Sequence, residues 1–334
     1  MKYLYFFLAT YVILSSCQPQ DRVTTGTTFD PFALAPGDTA RLFFPGYVSQ
    51  GLYERDMAIT SDYDELFFGV LTGKHNTIMH MKRVDGKWQG PEIAPFATDP
   101  MFFYLEPAFS PDDKRLYFLS TCPMEGEDTL SGWANQNIWY VEKQENGEWG
   151  EMKALDSIIN TSGGEFYPSI ADNGNLYYTW NEEGSRKSYV RKAEWNGKNF
   201  EEPEFLPENV CGDGQIFNAS IAPDESYLVA CATGRDDMSR QQPRYYVFFN
   251  LGEGKWTDAI YLGDRINLPG SQAISCSISR DGKYLFFASS FTPENEDPQK
   301  PLTAEDMYGH YTHPQNGLMD IYWISSDVIR ELKP

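Results

Sequence analysis

The chain has 334 residues and a formal net charge of −21, from 27 Lys and Arg against 48 Asp and Glu. Apolar residues make up 41% and aromatic residues 15%, enough to build a packed core and too much for a disordered chain. The acidity excludes nucleic acid and anionic membrane surfaces as electrostatic partners, since neither counterion release nor charge attraction would favour them. Cations, basic proteins and neutral ligands such as glycans remain.

The first element is an address. Lys2 precedes an apolar run over residues 3–14, followed by Ser15, Ser16 and Cys17. This is the layout of a secretory signal, too short to span a bilayer as a helix. Leu14-Ser15-Ser16-Cys17 resembles the lipobox of bacterial lipoproteins. The resemblance implies a signal peptide over residues 1–16, acylation of Cys17 and, with Gln18 next in line, anchoring in the outer membrane, facing the periplasm or the surface. Several acyl chains hold a protein stably on a bilayer. Residues 17–38, rich in Thr, Pro, Gln and Asp, read as the lipidated cysteine and a flexible tether, with the folded domain over residues 39–334.

Five segments then repeat one pattern: small or apolar residues, a turn, and a second strand of high β-propensity. The turns contain Asp62, Asp112, Asn173, Asp224 and Asp281, and the second strands lie at 66–68, 116–118, 176–178, 228–229 and 285–287. The recurring turn acids invite a catalytic reading, but Asp in a tight turn accepts from its own backbone two residues on, so they recur because the turn does. Asp85-Gly86, Asn146-Gly147, Asn196-Gly197 and Glu253-Gly254 follow the first four copies, each just before an aromatic residue (Trp88, Trp149, Phe200, Trp256). Asn-Gly and Asp-Gly supply the positive φ of a hairpin turn. Leu155, Leu206 and Leu262 each fall six residues beyond the last three aromatics, so an outer strand repeats too.

Each unit is therefore four antiparallel strands, a to d, at a spacing of about 50 to 60 residues. The expected fold is all-β: a single β-propeller of five four-stranded blades, six being the alternative. Six would need a blade with no recognisable turn. A fifth c strand is plain at 320–324 but no d strand follows it, only a short helical signal at 327–332. The strand-like piece at 40–44 is unassigned, so it is expected to pair in the last blade and close the ring, leaving no open edge. The stretches Phe109-Ser110-Pro111-Asp112 to Phe118 and Ile278-Ser279-Arg280-Asp281 to Phe287 resemble the WD40-like PD40 repeat of TolB-like propeller proteins. That resemblance implies the fold and little about activity, because its members include scaffolds, binding modules and domains attached to enzymes. The sialidase Asp-box shares a Ser-x-Asp-x-Gly core but continues to a Trp that these turns lack.

In a propeller, strand a lines the channel, and the d-to-a and b-to-c loops share one face. Aligning the repeats places Asp56, Glu106, Tyr167, Asn218 and Ser275 at one level, with Glu54, Tyr104, Glu165, Ile216 and Ala273 two positions earlier. Glu54, Asp56, Glu106 and Glu165 are expected to crowd one channel mouth beside Arg55. Tyr104, Tyr167 and Asn218 complete this candidate ligand site. Such acids suit Ca²⁺, sugar hydroxyls or the acid and base of glycoside hydrolysis; a solvated rim is the plain alternative. No cofactor or metal ligand set is otherwise implied: His310 and His313, three apart on a loop, are a weak signal. Two long b-to-c loops, 121–135 and 291–318, carry Trp133, Tyr308 and Tyr311, aromatics able to stack on sugars. Cys122, Cys211, Cys231 and Cys276 allow three full disulfide pairings, or simply fill buried positions. No nucleophile elbow, phosphate loop or dinucleotide fingerprint occurs. The leading expectation is a lipid-anchored extracytoplasmic propeller that binds a glycan or envelope protein through an acidic, loop-rich face. A carbohydrate-active enzyme using those carboxylates is the alternative.

Overall fold

Tight turns between short apolar strands of high β-propensity fold each repeat into an antiparallel sheet, and the five sheets stand as blades round a central channel. The computed structural model describes residues 26–130, 132–185, 187–212, 214–236, 240, 242–293 and 301–334. The expected signal peptide and Cys17 lie outside the described residues.

The short β1 (Arg41–Leu42) precedes blade 1, which comprises β2 (Tyr53–Ile59), β3 (Glu65–Leu71), β4 (Asn76–Val84) and β5 (Lys87–Ile93). Blade 2 comprises β6 (Tyr104–Phe109), β7 (Arg115–Ser120), β8 (Asn137–Glu142) and β9 (Lys153–Ala154). Blade 3 comprises β10 (Gly164–Ile170), β11 (Leu176–Asn181), β12 (Ser188–Ala193) and β13 (Glu204–Phe205), and α1 (Glu208–Cys211) follows it. Blade 4 comprises β14 (Ile216–Ile221), β15 (Tyr227–Ala232) and β16 (Arg244–Gly252). Its outer edge is split between β17 (Lys255–Trp256) and β18 (Ile260–Tyr261), both paired to β16. Blade 5 comprises β19 (Cys276–Ile278), β20 (Tyr284–Ser289) and β21 (Asp320–Ser325), with α2 (Ala304–Thr312) in its long loop and α3 (Asp327–Arg330) after it.

The ring closes as the strand count requires. β1 lies antiparallel on β21, with Arg41 opposite Trp323 and Leu42 opposite Tyr322, and the Phe43 amide donates to the Ile321 carbonyl at 2.8 Å. Phe43 is fully buried, edge-on to Phe286 at 5.0 Å and Trp323 at 5.3 Å. Five apolar clusters fill the seams between neighbouring blades, so each blade buries both faces. Polar side chains also cross the seams. Glu65 accepts from Trp149 Nε1 at 3.0 Å and pairs with Lys143 at 2.6 Å, joining blades 1 and 2. These donors, with His80, hold its carboxyl down at about 2 against the opposing effect of burial.

The turn acids do what turns need. Asp62, Asp112, Asn173, Asp224 and Asp281 each accept from the backbone amide two residues on, at 3.0–3.2 Å. The face bearing these turns is opposite the one bearing the long loops. One expectation needs correction: part of the stretch read as tether is packed on the domain. Thr27 exchanges backbone hydrogen bonds with Trp88, Asp30 caps a 3-10 turn at Pro31–Leu34, and Phe32 packs on Tyr63 at 4.5 Å. An aromatic residue there finds an apolar seam, which composition alone does not reveal. The long loop of blade 5 is likewise partly helical: Thr303 and Asp306 form a reciprocal capping box at the start of α2, whose residues are none of them buried.

Because Phe43 fills the closing seam, Phe43→Ala is expected to cost about 3–5 kcal/mol, read from urea unfolding. Leu332→Ala, at a partly exposed position beyond α3, should shift stability by less than about 0.5 kcal/mol. Equal effects would mean that the closure does not hold the ring.

Candidate functional site

Strand a of blades 1 to 4 carries a bulge at the same level, between Arg55 and Ala58, Leu105 and Ala108, Phe166 and Ser169, and Phe217 and Ser220. The first residue of each bulge is left-handed: Asp56 (φ 59°), Glu106 (62°), Tyr167 (55°) and Asn218 (50°). These are the positions that alignment of the repeats singles out. Non-glycine residues held there cost on the order of 1–3 kcal/mol each and persist only where the surroundings enforce them. A bulge also re-aims its side chain, here into the channel.

The side chains so aimed stitch the blades together. Arg55 donates to Asp56 Oδ1 at 2.6 Å and to Glu106 Oε1 at 3.0 Å; Glu106 Oε2 accepts from the Tyr167 amide at 2.7 Å. The Tyr167 hydroxyl crosses to blade 5, bonding the carbonyl and amide of Cys276, each at 2.8 Å. The Asp56 amide donates to Ser275 Oγ at 3.2 Å. In blade 4, the Asn218 amide donates to Thr179 Oγ1 at 2.9 Å and its side chain to the Ile274 carbonyl at 2.5 Å. Every one of these residues is buried except Ile274. Burial pushes the Glu106 carboxyl up to about 8 and raises Asp56 as well, against the pull of Arg55, whose own proton is held more tightly. The cavity left in the channel beside Asp56, Glu106 and Tyr167 is about 60 Å³, room for water and not for a sugar.

The four acids expected at one mouth are therefore divided. Asp56 and Glu106 meet round Arg55. Glu165, fully buried, accepts from Thr161 Oγ1 within blade 3. Glu54, also fully buried, faces Asp320 of blade 5. Its Oε1 accepts from the amides of Gln50 and Leu52, each at 3.1 Å, while Asp320 Oδ2 accepts from the Gln315 amide at 2.6 Å. Glu54 Oε2 and Asp320 Oδ1 have no protein partner. Burial, then the Asp320 charge, lifts Glu54 to about 8, and burial lifts Asp320 to about 6, so near neutral pH one proton remains on the pair. Tyr104 points away from the channel, its hydroxyl 3.4 Å from Cys122 Sγ. A cation between Asp56 and Glu106 would compete with the guanidinium already there, and among the described residues no three His, Cys, Asp or Glu side chains gather into a metal-holding group. Cys122, Cys211, Cys231 and Cys276 form no disulfide.

An open cleft lies outward, over blade 1 on the loop face. A cleft of about 670 Å³ is walled by residues 50–53, by the blade 1 loop with Asn76, by Phe103 and Trp133 of blade 2, and by Tyr311 and Leu318 of blade 5. This is the size of a small-molecule site. Trp133 is 48% exposed and braced edge-on by Phe103 at 4.9 Å; Tyr311 is 74% exposed. Two of the three loop aromatics expected to bind thus share one cleft, while Tyr308, on α2, is exposed outside it. Asn76 and Asp320 escaped the sequence reading. Asp320 opens the fifth c strand, and ring closure predicts its place beside Glu54; no local signal marks Asn76.

No protein-family model matches the chain, and no curated protein does. Among solved structures it is similar to TolB from Acinetobacter baumannii, at 12% identity and a TM-score of 0.47, over 82% of this chain and 57% of that one. It is similar also to a gluconolactonase from Xanthomonas campestris (13%, TM-score 0.46, 86% and 80% covered). A third is the catalytic domain of a GH62 α-L-arabinofuranosidase from Coprinopsis cinerea (10%, TM-score 0.44, 86% and 98% covered).

Arg55→Met leaves Asp56 and Glu106 buried without their cation and should cost about 3–5 kcal/mol in chemical denaturation; an unchanged midpoint would remove Arg55 from the hub. For Glu54, the native carboxyl keeps a proton between its ordinary value of 4.5 and about 8 that the unfolded chain releases. Its contribution is therefore full at low pH and lost as pH rises through that window. Glu54→Gln should flatten the fall of Tm between about pH 5 and 8, leaving the parts due to Glu106, Asp320, Asp56 and Glu165, whose carboxyls are raised as well and carry the same sign. Identical slopes would show that Glu54 titrates normally.

Proposed function

We propose that this chain is a lipid-anchored extracytoplasmic β-propeller that binds a ligand on its loop-rich face. The observation that carries the binding reading is the aromatic-walled cleft over blade 1, built from loops of three blades. The anchor reading rests on the sequence around Cys17. Gly26 and Thr27 enter the domain beside Trp88 and the Asp85-Gly86 turn, on the side opposite the long loops. Residues 18–25 can span at most about 30 Å, so an acylated Cys17 keeps the turn face within that distance of the membrane.

The hydrolase alternative finds less support. Glu54, Asp56, Glu106 and Glu165 are all buried, and none lines the cleft. A pair of glycosidase carboxylates must flank the scissile bond with room for sugar and water, which the filled channel does not offer.

Cys17→Ser is expected to move the chain from the membrane fraction to the soluble fraction and to abolish acyl mass on the mature N-terminal peptide. In the full anchored chain, a photo-crosslinker at Met101, exposed on the loop face, should capture a glycan or envelope protein, whereas one at Val84, exposed beside the opposite turns on the anchor side, should capture lipid and neither of these. Glycan or protein captured at Val84 alone, or equally at both, would overturn the assignment of the face.

A further inference from the structure

We infer that the cleft over blade 1 is a site for a neutral saccharide, an inference that rests on the loop-face binding reading and names its ligand class. Among the described residues, the thirteen that line it include no charged side chain, in a chain whose net charge is −21. A surface so acidic elsewhere repels anions, and a cation would find aromatic faces but no carboxylate among the described lining residues to neutralise it. The lining therefore favours an uncharged ligand.

The polar groups present are those that hydroxyls recognise. Asn76 is 5% exposed and its Oδ1 is buried without a partner. The residue lines the cleft, and an acceptor left unmade costs about 1–3 kcal/mol, which is recovered when the amide rotates to turn its oxygen toward a donor on a ligand. Asn76 also heads β4, where it faces Leu71 in the sheet register, so the acceptor is fixed to a strand and not to a mobile loop. Gln50 and Thr72 add further amide and hydroxyl groups to the lining. Trp133 and Tyr311 supply two exposed aromatic faces, and an aromatic ring combines a flat apolar surface with a polar edge. A pyranose ring has the matching form: an apolar C–H face for the aromatics and a rim of hydroxyls for the amides. A lipid chain would leave the Asn76 acceptor unpaired.

The two walls also have a common support. Glu54 holds the amides of Gln50 and Leu52, and Asp320 holds that of Gln315. Asn316 Nδ2 then bridges the Gly51 carbonyl at 2.9 Å and the Tyr311 carbonyl at 3.2 Å. The backbone carrying Tyr311 is thus tied to the wall at residues 50–53 before any ligand arrives, which lowers the ordering cost of binding.

The test titrates the full chain with cellotetraose, maltotetraose, xylotetraose, mannotetraose and chitotetraose, by calorimetry and tryptophan fluorescence, beside a library of uncharged peptides. At least one tetrasaccharide should bind, with Trp133→Ala and Tyr311→Ala each weakening it about tenfold or more at unchanged Tm, since both side chains are exposed. Asn76→Leu should weaken it comparably. No tetrasaccharide binding up to about 10 mM, or binding indifferent to both aromatic substitutions, overturns the inference. Uncharged peptides that bind through Trp133 and Tyr311 while the sugars do not would overturn the saccharide class and leave loop-face binding intact. If, in addition, Met101 crosslinking captures nothing, both readings fall.

Discussion

The structure depends on how five twisted sheets satisfy their backbone where they meet. At the level of the strand a bulges the ladder is broken, and amides that would otherwise pair within a blade are left to find partners across the channel. They find them in side chains of other blades: Ser275 for Asp56, Glu106 for Tyr167, Thr179 for Asn218. Buried polar groups must be paired to be tolerated, and pairing them in this way links blades 5, 1, 2, 3 and 4 into one polar ring. Arg55 supplies the single cation that lets two carboxylates lie inside it. The left-handed residues are the conformational cost of aiming those side chains inward.

That arrangement decides where ligand chemistry can occur. A channel stitched by tyrosine, arginine and carboxylate has no space for a substrate, and its acids are already engaged. The same acidic residues that suggest a catalytic mouth in a linear sequence become the fastening of the fold. In the reading proposed above, ligand contact falls outward on the loops, whose length is not constrained by the sheets. Trp133 and Tyr311 arrive from loops nearly 180 residues apart in the chain and meet over blade 1 because ring closure makes blades 5 and 2 its neighbours.

The carboxyl pair of Glu54 and Asp320 connects the two levels. It lies at the closing seam, where the last blade meets the first, and its oxygens hold backbone on both sides of the cleft. A carboxyl that keeps its proton near neutrality avoids placing two charges side by side in a buried site. The seam that completes the ring and the walls of the cleft therefore share one titrating support.

Much of this was legible without coordinates. Asp-Gly and Asn-Gly turns, the apolar strands of high β-propensity and the Asp or Asn at each a-to-b turn act over a few residues, so the repeat and its period follow from local chemistry. The count of strands then left residues 40–44 and the last blade each wanting a partner. Even the bulge level emerged, because Asp56, Glu106, Tyr167 and Asn218 align. Their environment did not. Whether Glu54 turns toward Asp320 and Asp56 toward Arg55 depends on the sign of one φ angle and on neighbours up to 266 positions away. The cleft follows the same rule: no motif marks Asn76, whose unpaired oxygen matters only because three loops from three blades surround it. Short-range forces wrote the blades into the chain, and the closure of the ring assigned each side chain its company.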